Sequence, residues 1–173
     1  DGNMTQKIDS NEEQKIKYFS FVLLVVGICS LFSACNSNVV FNDTVSFSES
    51  LWSKDNEVSF SYTIPDTSST YSIQIEVENS DDYMYSNLFL FSTIVFPDSL
   101  QIRDTLECML ADYTGAWTGT GLWSYSNTFG FKKNIRFPKP GTYVFTIQQA
   151  MRCTNKPCEI IGIESVGLQI IKQ

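Results

Sequence analysis

Polar and apolar residues alternate along much of the chain with a period of two. In Glu57-Val58-Ser59-Phe60-Ser61-Tyr62-Thr63-Ile64 every second side chain is apolar, the pattern of a half-buried strand. Pro65-Asp66 and Ser68-Ser69 end it in a turn. A second strand follows, with Tyr71, Ile73, Ile75 and Val77 on one face and Ser72, Gln74, Glu76 and Glu78 on the other. Asn79 to Asp82 reads as a loop. From Leu88 to Phe96 the run is almost continuously apolar, which predicts a central strand buried on both faces. Pro97-Asp98-Ser99 turns the chain into a further strand over 102–110, paired with the previous one as a hairpin.

Residues 113–131 mix glycine with aromatics and read as irregular. A short strand is expected over 134–137, then a turn at Pro138-Lys139-Pro140-Gly141. Residues 142–150 alternate again, and 160–171 hold one or two strands interrupted by Gly162 and Gly167. Roughly eight or nine strands, closely spaced turns and no helical stripe predict an all-β fold, an antiparallel β-sandwich with jelly-roll-like connections as one form of it.

The first 34 residues do not fit that pattern. Lys7, Lys15 and Lys17 lie in a charged region reaching to about residue 17. The apolar region 18–34 contains Phe19, Phe21 to Val26, Ile28, Leu31 and Phe32, the layout of a secretory signal. It ends in Leu31-Phe32-Ser33-Ala34-Cys35. Small residues before a cysteine resemble the lipobox of lipoprotein signal peptidase, with Phe32 an imperfect fit. Cys35 is therefore the expected lipidation site, carrying acyl chains such as palmitate. An uncleaved membrane anchor and an ordinary signal cut near Ala34 are the rival readings. The run is interrupted by Ser20, Ser30 and Ser33 and is short of the roughly 20 apolar residues a span needs. Residues 35–38 would then be the lipidated cysteine and a tether reaching about 14 Å, and 39–173 one β-sandwich domain.

Composition narrows the chemistry. Of 173 residues, 13 are Phe, 8 Tyr and 3 Trp, which favours strands over helices. The net charge of −7 comes without any Lys/Arg-rich run, and so without the cationic groove that nucleic acid requires. The chain has no histidine, which removes Ser-His-Asp and Cys-His nucleophile systems and the usual zinc and non-haem iron sets. No metal or cofactor is expected.

Cys153 and Cys158 flank a loop between two strand patterns in what would be an exported, oxidising setting. They are candidates for a disulfide if their Cα atoms come within about 7 Å, leaving Cys108 as a buried thiol. A metal site is the poorer alternative, because three cysteines without histidine make an incomplete zinc set.

Several stretches resemble the gliding-motility lipoprotein family GldH of Bacteroidota. They include Leu51-Trp52-Ser53-Lys54-Asp55, Tyr85 to Phe91, Asp104-Thr105-Leu106-Glu107 and Gly115-Ala116-Trp117-Thr118-Gly119-Thr120-Gly121. Gly141 to Phe145, Gln149-Ala150-Met151-Arg152 and Val166-Gly167-Leu168 continue the series in order. The loop from Cys153 to Cys158 departs from the family's pattern. The resemblance implies a non-catalytic lipoprotein of the gliding and type IX secretion machinery that assembles or stabilises other envelope lipoproteins, and it offers no catalytic residue to carry over. The residues after Cys35 lack an acidic cluster like the surface-export signal of these bacteria, so a periplasmic face of the outer membrane is expected.

The most suggestive side chains lie in the Gly-aromatic stretch: Tyr113, Trp117, Trp123, Tyr125, Phe129 and Phe131. Most are expected to complete the core, as large aromatics usually do. Trp117 and Trp123 are the best exposed candidates and, with Tyr125, form the candidate interaction surface. If the two tryptophans were coplanar on an open face, a carbohydrate-binding lipoprotein would be the alternative. A glycoside hydrolase would need two facing carboxyl groups roughly 5–10 Å apart. Asp104 and Glu107 do not qualify, since a regular strand points them to opposite faces.

Overall fold

A computed structural model describes residues 38–153 and 157–173. The first 37 residues, with the leader and Cys35, lie outside the described residues. Among the described residues ten strands are present: β1 (Val39–Ser46), β2 (Leu51–Ser53), β3 (Val58–Ile64), β4 (Tyr71–Ser80), β5 (Asn87–Val95), β6 (Gln101–Met109), β7 (Ser124–Ile135), β8 (Gly141–Gln149), β9 (Glu159–Ile161) and β10 (Ile163–Lys172). They build one sheet in the order β1-β10-β4-β7, a second in the order β3-β8-β5-β6, and a small β2-β9 pair. Every pairing is antiparallel.

The expected β-sandwich is what forms. The period-two faces explain it, because each sheet has one apolar side and two such sides can only be dried against each other. Ile73, Ile75 and Val77 of β4 and Val166, Leu168 and Ile170 of β10 are buried from one sheet. Phe60, Leu88, Leu90, Tyr143, Phe145 and Ile147 are buried from the other. Phe41 of β1 reaches across to Phe60 and Tyr62 of β3, with ring centroids 6.4 and 5.6 Å apart. At the opposite edge, Lys132 of β7 pairs with Asp104 of β6 at 2.6 Å. Trp52, fully buried, stacks on Phe47 at 4.8 Å.

The β5–β6 hairpin forms as expected, and among the described residues it is the only connection that stays within one sheet. Three expectations change. The β5 run alternates buried and half-buried residues instead of being covered twice, because its outer face carries Phe89 and Phe91 and no second layer of structure covers them fully. Of the short strand expected at 134–137 only Asn134 and Ile135 are strand, as the end of the twelve-residue β7, which begins at Ser124 inside the stretch read as irregular; Arg136 and Phe137 lie beyond it. Gly162 separates β9 from β10 with φ +88°, whereas Gly167 interrupts nothing. Gly167 instead lets β1 come close: a Cβ there would lie 2.7 Å from Thr44 Oγ1.

The register gives the domain two distinct ends. One end holds Asn38 and the loops 65–70, 96–100 and 136–140, tied together by the Tyr71–Phe137–Tyr143 ring contacts and the Lys139–Asp98 ion pair. The other end holds the loops 81–86 and 110–123 and the turn before β10.

Candidate functional site

The end remote from Asn38 is built by two loops that brace each other. Leu110 and Ala111 both donate their backbone N–H groups to the Ser86 carbonyl, at 2.8 and 3.0 Å. The next turn is organised by Asp112. Its Oδ1 accepts from the Thr114 N–H at 2.8 Å, the Thr114 hydroxyl at 2.6 Å and the Ala116 N–H at 3.1 Å. Those bonds, the hydroxyl's first, hold the Asp112 carboxyl below the usual carboxylate range. Gly115 closes the turn at φ +87°, a conformation that favours glycine. The result is a rigid turn that leaves Tyr113 99% exposed.

Beyond it the chain is pinned from inside. The Thr118 hydroxyl lies 3.0 Å from the Leu110 carbonyl and 3.1 Å from Asn127 Oδ1. Asn127 Nδ2 donates to Asn79 Oδ1 at 3.1 Å, and both asparagines are buried. This chain of amides satisfies polar groups that water cannot reach and ties the 110–123 loop to β4 and β7. Thr120 and Ser126 then exchange backbone hydrogen bonds, so Leu122 and Trp123 form the tip of a short fold-back with 82% and 84% of their surface exposed.

The three aromatics singled out in the sequence separate here. Trp117 is half-buried: its indole N–H donates to Asp81 Oδ1 at 2.8 Å and its ring packs 5.8 Å from Tyr125. Tyr125 is half-buried too, and its phenol is pushed up by desolvation and by Asp81. Trp123 alone of the three stands in solvent. Tyr113, Leu122 and Met84, which is 85% exposed, join it there. Sequence reasoning included Tyr113 in the stretch but passed over Leu122 and Met84. The only signal available was their place beside glycine and between tyrosines in turn-rich segments.

A second feature lies on the outer face of the β3-β8-β5-β6 sheet. Tyr85, Phe89, Phe91, Thr105, Ala150, Met151 and Arg152 line a groove of about 460 Å³. Its wall is anchored by Gln149, fully buried, whose Nε2 donates to the Cys158 carbonyl at 3.1 Å and whose Oε1 accepts from the Met151 N–H at 3.0 Å. Cys153 and Cys158 are joined by a disulfide, with Cα atoms 5.7 Å apart. Cys108 is free and buried, its thiol pushed up to about 12 by burial and then by Glu107. Among the described residues no group of three His, Cys, Asp or Glu side chains could hold a metal ion. Asp104 and Glu107 are engaged separately, by Lys132 and by Asn87 Nδ2 at 2.7 Å.

A family model described as GldH lipoprotein matches residues 39–170. The chain belongs to this family. A curated relative from Christiangramia forsetii, called a gliding motility lipoprotein GldH homolog, is 35% identical over 158 residues, covering 89% of this chain and 94% of its own. The gliding motility lipoprotein GldH of Flavobacterium johnsoniae is 30% identical over 148 residues, covering 85% of this chain and 88% of its own. Among solved structures, that of the infectious bursal disease virus Gx strain overlays 76% of this chain and 29% of its own chain, at 14% identity and a TM-score of 0.39. That likeness is too loose to bear on function.

Proposed function

We propose that this chain is a non-catalytic lipoprotein of the gliding motility and type IX secretion machinery, which assembles or stabilises other envelope lipoproteins. Acyl chains on Cys35 hold it to the outer membrane, facing the periplasm. The observation that carries this reading is the polarity of the sandwich. Asn38, three residues after Cys35, immediately precedes β1 at one end. The exposed Tyr113, Leu122, Trp123 and Met84 crown the other. The eight residues of β1 alone separate the two ends by roughly 26 Å. Aromatic side chains held in solvent on braced loops, away from the anchored end, are suited to anchor a protein interface.

A glycan-binding reading fares less well. Trp117 is committed to Asp81 and Tyr125, which leaves Trp123 as a single stacking platform. Saturable quenching of tryptophan fluorescence by envelope glycans, lost on Trp123→Ala, would favour that reading instead.

The proposal is tested by allelic replacement. A Tyr113→Ala, Trp123→Ala double variant changes only exposed groups, so its unfolding midpoint should correspond to a stability within about 1 kcal/mol of wild type. It should reach normal abundance in the envelope. It should nonetheless fail to restore cargo secretion, and gliding where the host glides, in a deletion strain. Full rescue by the double variant would overturn the role of this end.

A further inference from the structure

The groove on the outer face of the β3-β8-β5-β6 sheet meets the 81–86 loop only at Tyr85, includes none of the exposed Met84, Tyr113, Leu122 and Trp123, and makes its own chemical demand. Its floor is apolar: Phe89 and Phe91, neighbours on the outer face of β5, with Ala150 and Met151 beside them. Its edges carry cations. The guanidinium of Arg103 sits with Cζ 4.2 Å from the centre of the Phe91 ring, and its Nη2 donates to Gln148 Oε1 at 3.1 Å. Gln148 in turn donates to the Lys54 carbonyl at 2.9 Å, and the Lys54 ammonium donates to the Met151 carbonyl at 3.2 Å. Arg152 supplies the other wall, next to the Cys153–Cys158 disulfide.

Among the described residues, neither arginine has a carboxylate within ion-pair distance. Glu107 faces Phe89 across the β5–β6 pairing and gives one oxygen to Asn87, and Glu159 lines the neighbouring hollow. Two arginines bordering a pair of phenylalanines stand out on a chain with a net charge of −7. An apolar floor bordered by guanidiniums with uncommitted N–H donors is complementary to an apolar side chain followed or preceded by a carboxylate.

We propose that this groove binds a partner polypeptide, through an extended segment that seats a leucine-, isoleucine- or phenylalanine-type side chain on Phe89 and Phe91 and pairs a neighbouring carboxylate with Arg103 and Arg152. The Phe91 ring beneath Arg103 holds that guanidinium in place, and the disulfide and Gln149 hold the wall bearing Arg152. Neither element depends on the remote loops or on lipidation of Cys35, so failure of the groove would leave the proposed function standing.

The test is an array of synthetic 15-residue peptides tiled over envelope proteins of the host, probed with the full lipidated chain in detergent. The tightest peptides are then measured by fluorescence anisotropy. Binders should place an acidic residue beside Leu, Ile or Phe. Arg103→Gln and Arg152→Gln change exposed side chains and should keep the far-ultraviolet circular dichroism, yet each should weaken binding roughly tenfold. The Arg→Lys variants should recover part of it, and replacing the peptide carboxylates by lysine should abolish it. Three results would overturn the proposal: binders dominated by basic peptides, affinities indifferent to both arginines, or no peptide bound. Vesicles of phosphatidylethanolamine and phosphatidylglycerol that displace every bound peptide would identify a lipid site instead and sink it equally.

Discussion

Among the described residues the one free thiol shows how burial sets chemistry. Cys108 ends the inner face of β6, has no exposed surface, and burial pushes its thiol up to about 12. Its burial keeps the neutral form, so its contribution to stability is whole below the ordinary thiol range. That contribution falls as the pH climbs from there towards 12, because the unfolded chain ionises first. Urea midpoints measured between pH 7 and 10.5 should therefore decline more steeply for wild type than for Cys108→Ala. In the folded protein at pH 8 the thiol should also resist a disulfide-exchange reagent that modifies it rapidly in urea. Parallel pH slopes for the two proteins would contradict this. The contrast with Trp123 is instructive, since both residues lie near the same end of the sandwich. Cys108 is buried in the same core cluster as Leu110 and Tyr83, whereas Trp123 projects from the tip of the fold-back that the Thr120–Ser126 backbone hydrogen bonds close.

Among the elements, those with a strict period of two were the most legible. β3, β4 and β8 carry buried residues where their apolar positions lie, because a strand covered on one side must alternate. β1 gave no such signal: it is an edge strand whose Asn42, Asp43, Thr44 and Ser46 are exposed, with only Val39 and Phe41 partly covered. The start of β7 was hidden because it is irregular only in composition. Its pairing with β4 is fixed by long-range contacts such as Asn127 with Asn79, which periodicity does not encode. The groove was illegible for the same reason. Phe89 and Phe91 read as core, and Met151 and Arg152 reach them only through the β5–β8 pairing. The 153–158 loop offers a test at this scale. Closing so short a loop should contribute about 2 kcal/mol. A Cys153→Ser, Cys158→Ser variant should lose about that much in urea unfolding, without loss of strand content by circular dichroism. A variant that unfolds altogether, or loses nothing, would show that the bridge does not act through the chain segment it closes.

For the molecule as a whole, direction along the sandwich is what links the fold to the proposed role. The chain enters at the Asn38 end, and β1 and β10 lie side by side there, with the Lys172 N–H donating to the Asn38 carbonyl at 2.8 Å. A lipid on Cys35 would hold that end within about 14 Å of the bilayer. The braced loops with Tyr113 and Trp123 would then face away from it. The family match and the relatives' names agree with a lipoprotein of gliding motility, and neither of them specifies which surface works. The most direct measurement is therefore photo-crosslinking in the native envelope. A photoreactive phenylalanine analogue is placed in the full lipidated chain at Trp123 or, at the anchored end, at the exposed Thr67. The account predicts a discrete protein adduct from position 123 and lipid adducts from position 67. Protein adducts from position 67 with none from 123, or lipid adducts from 123, would contradict it.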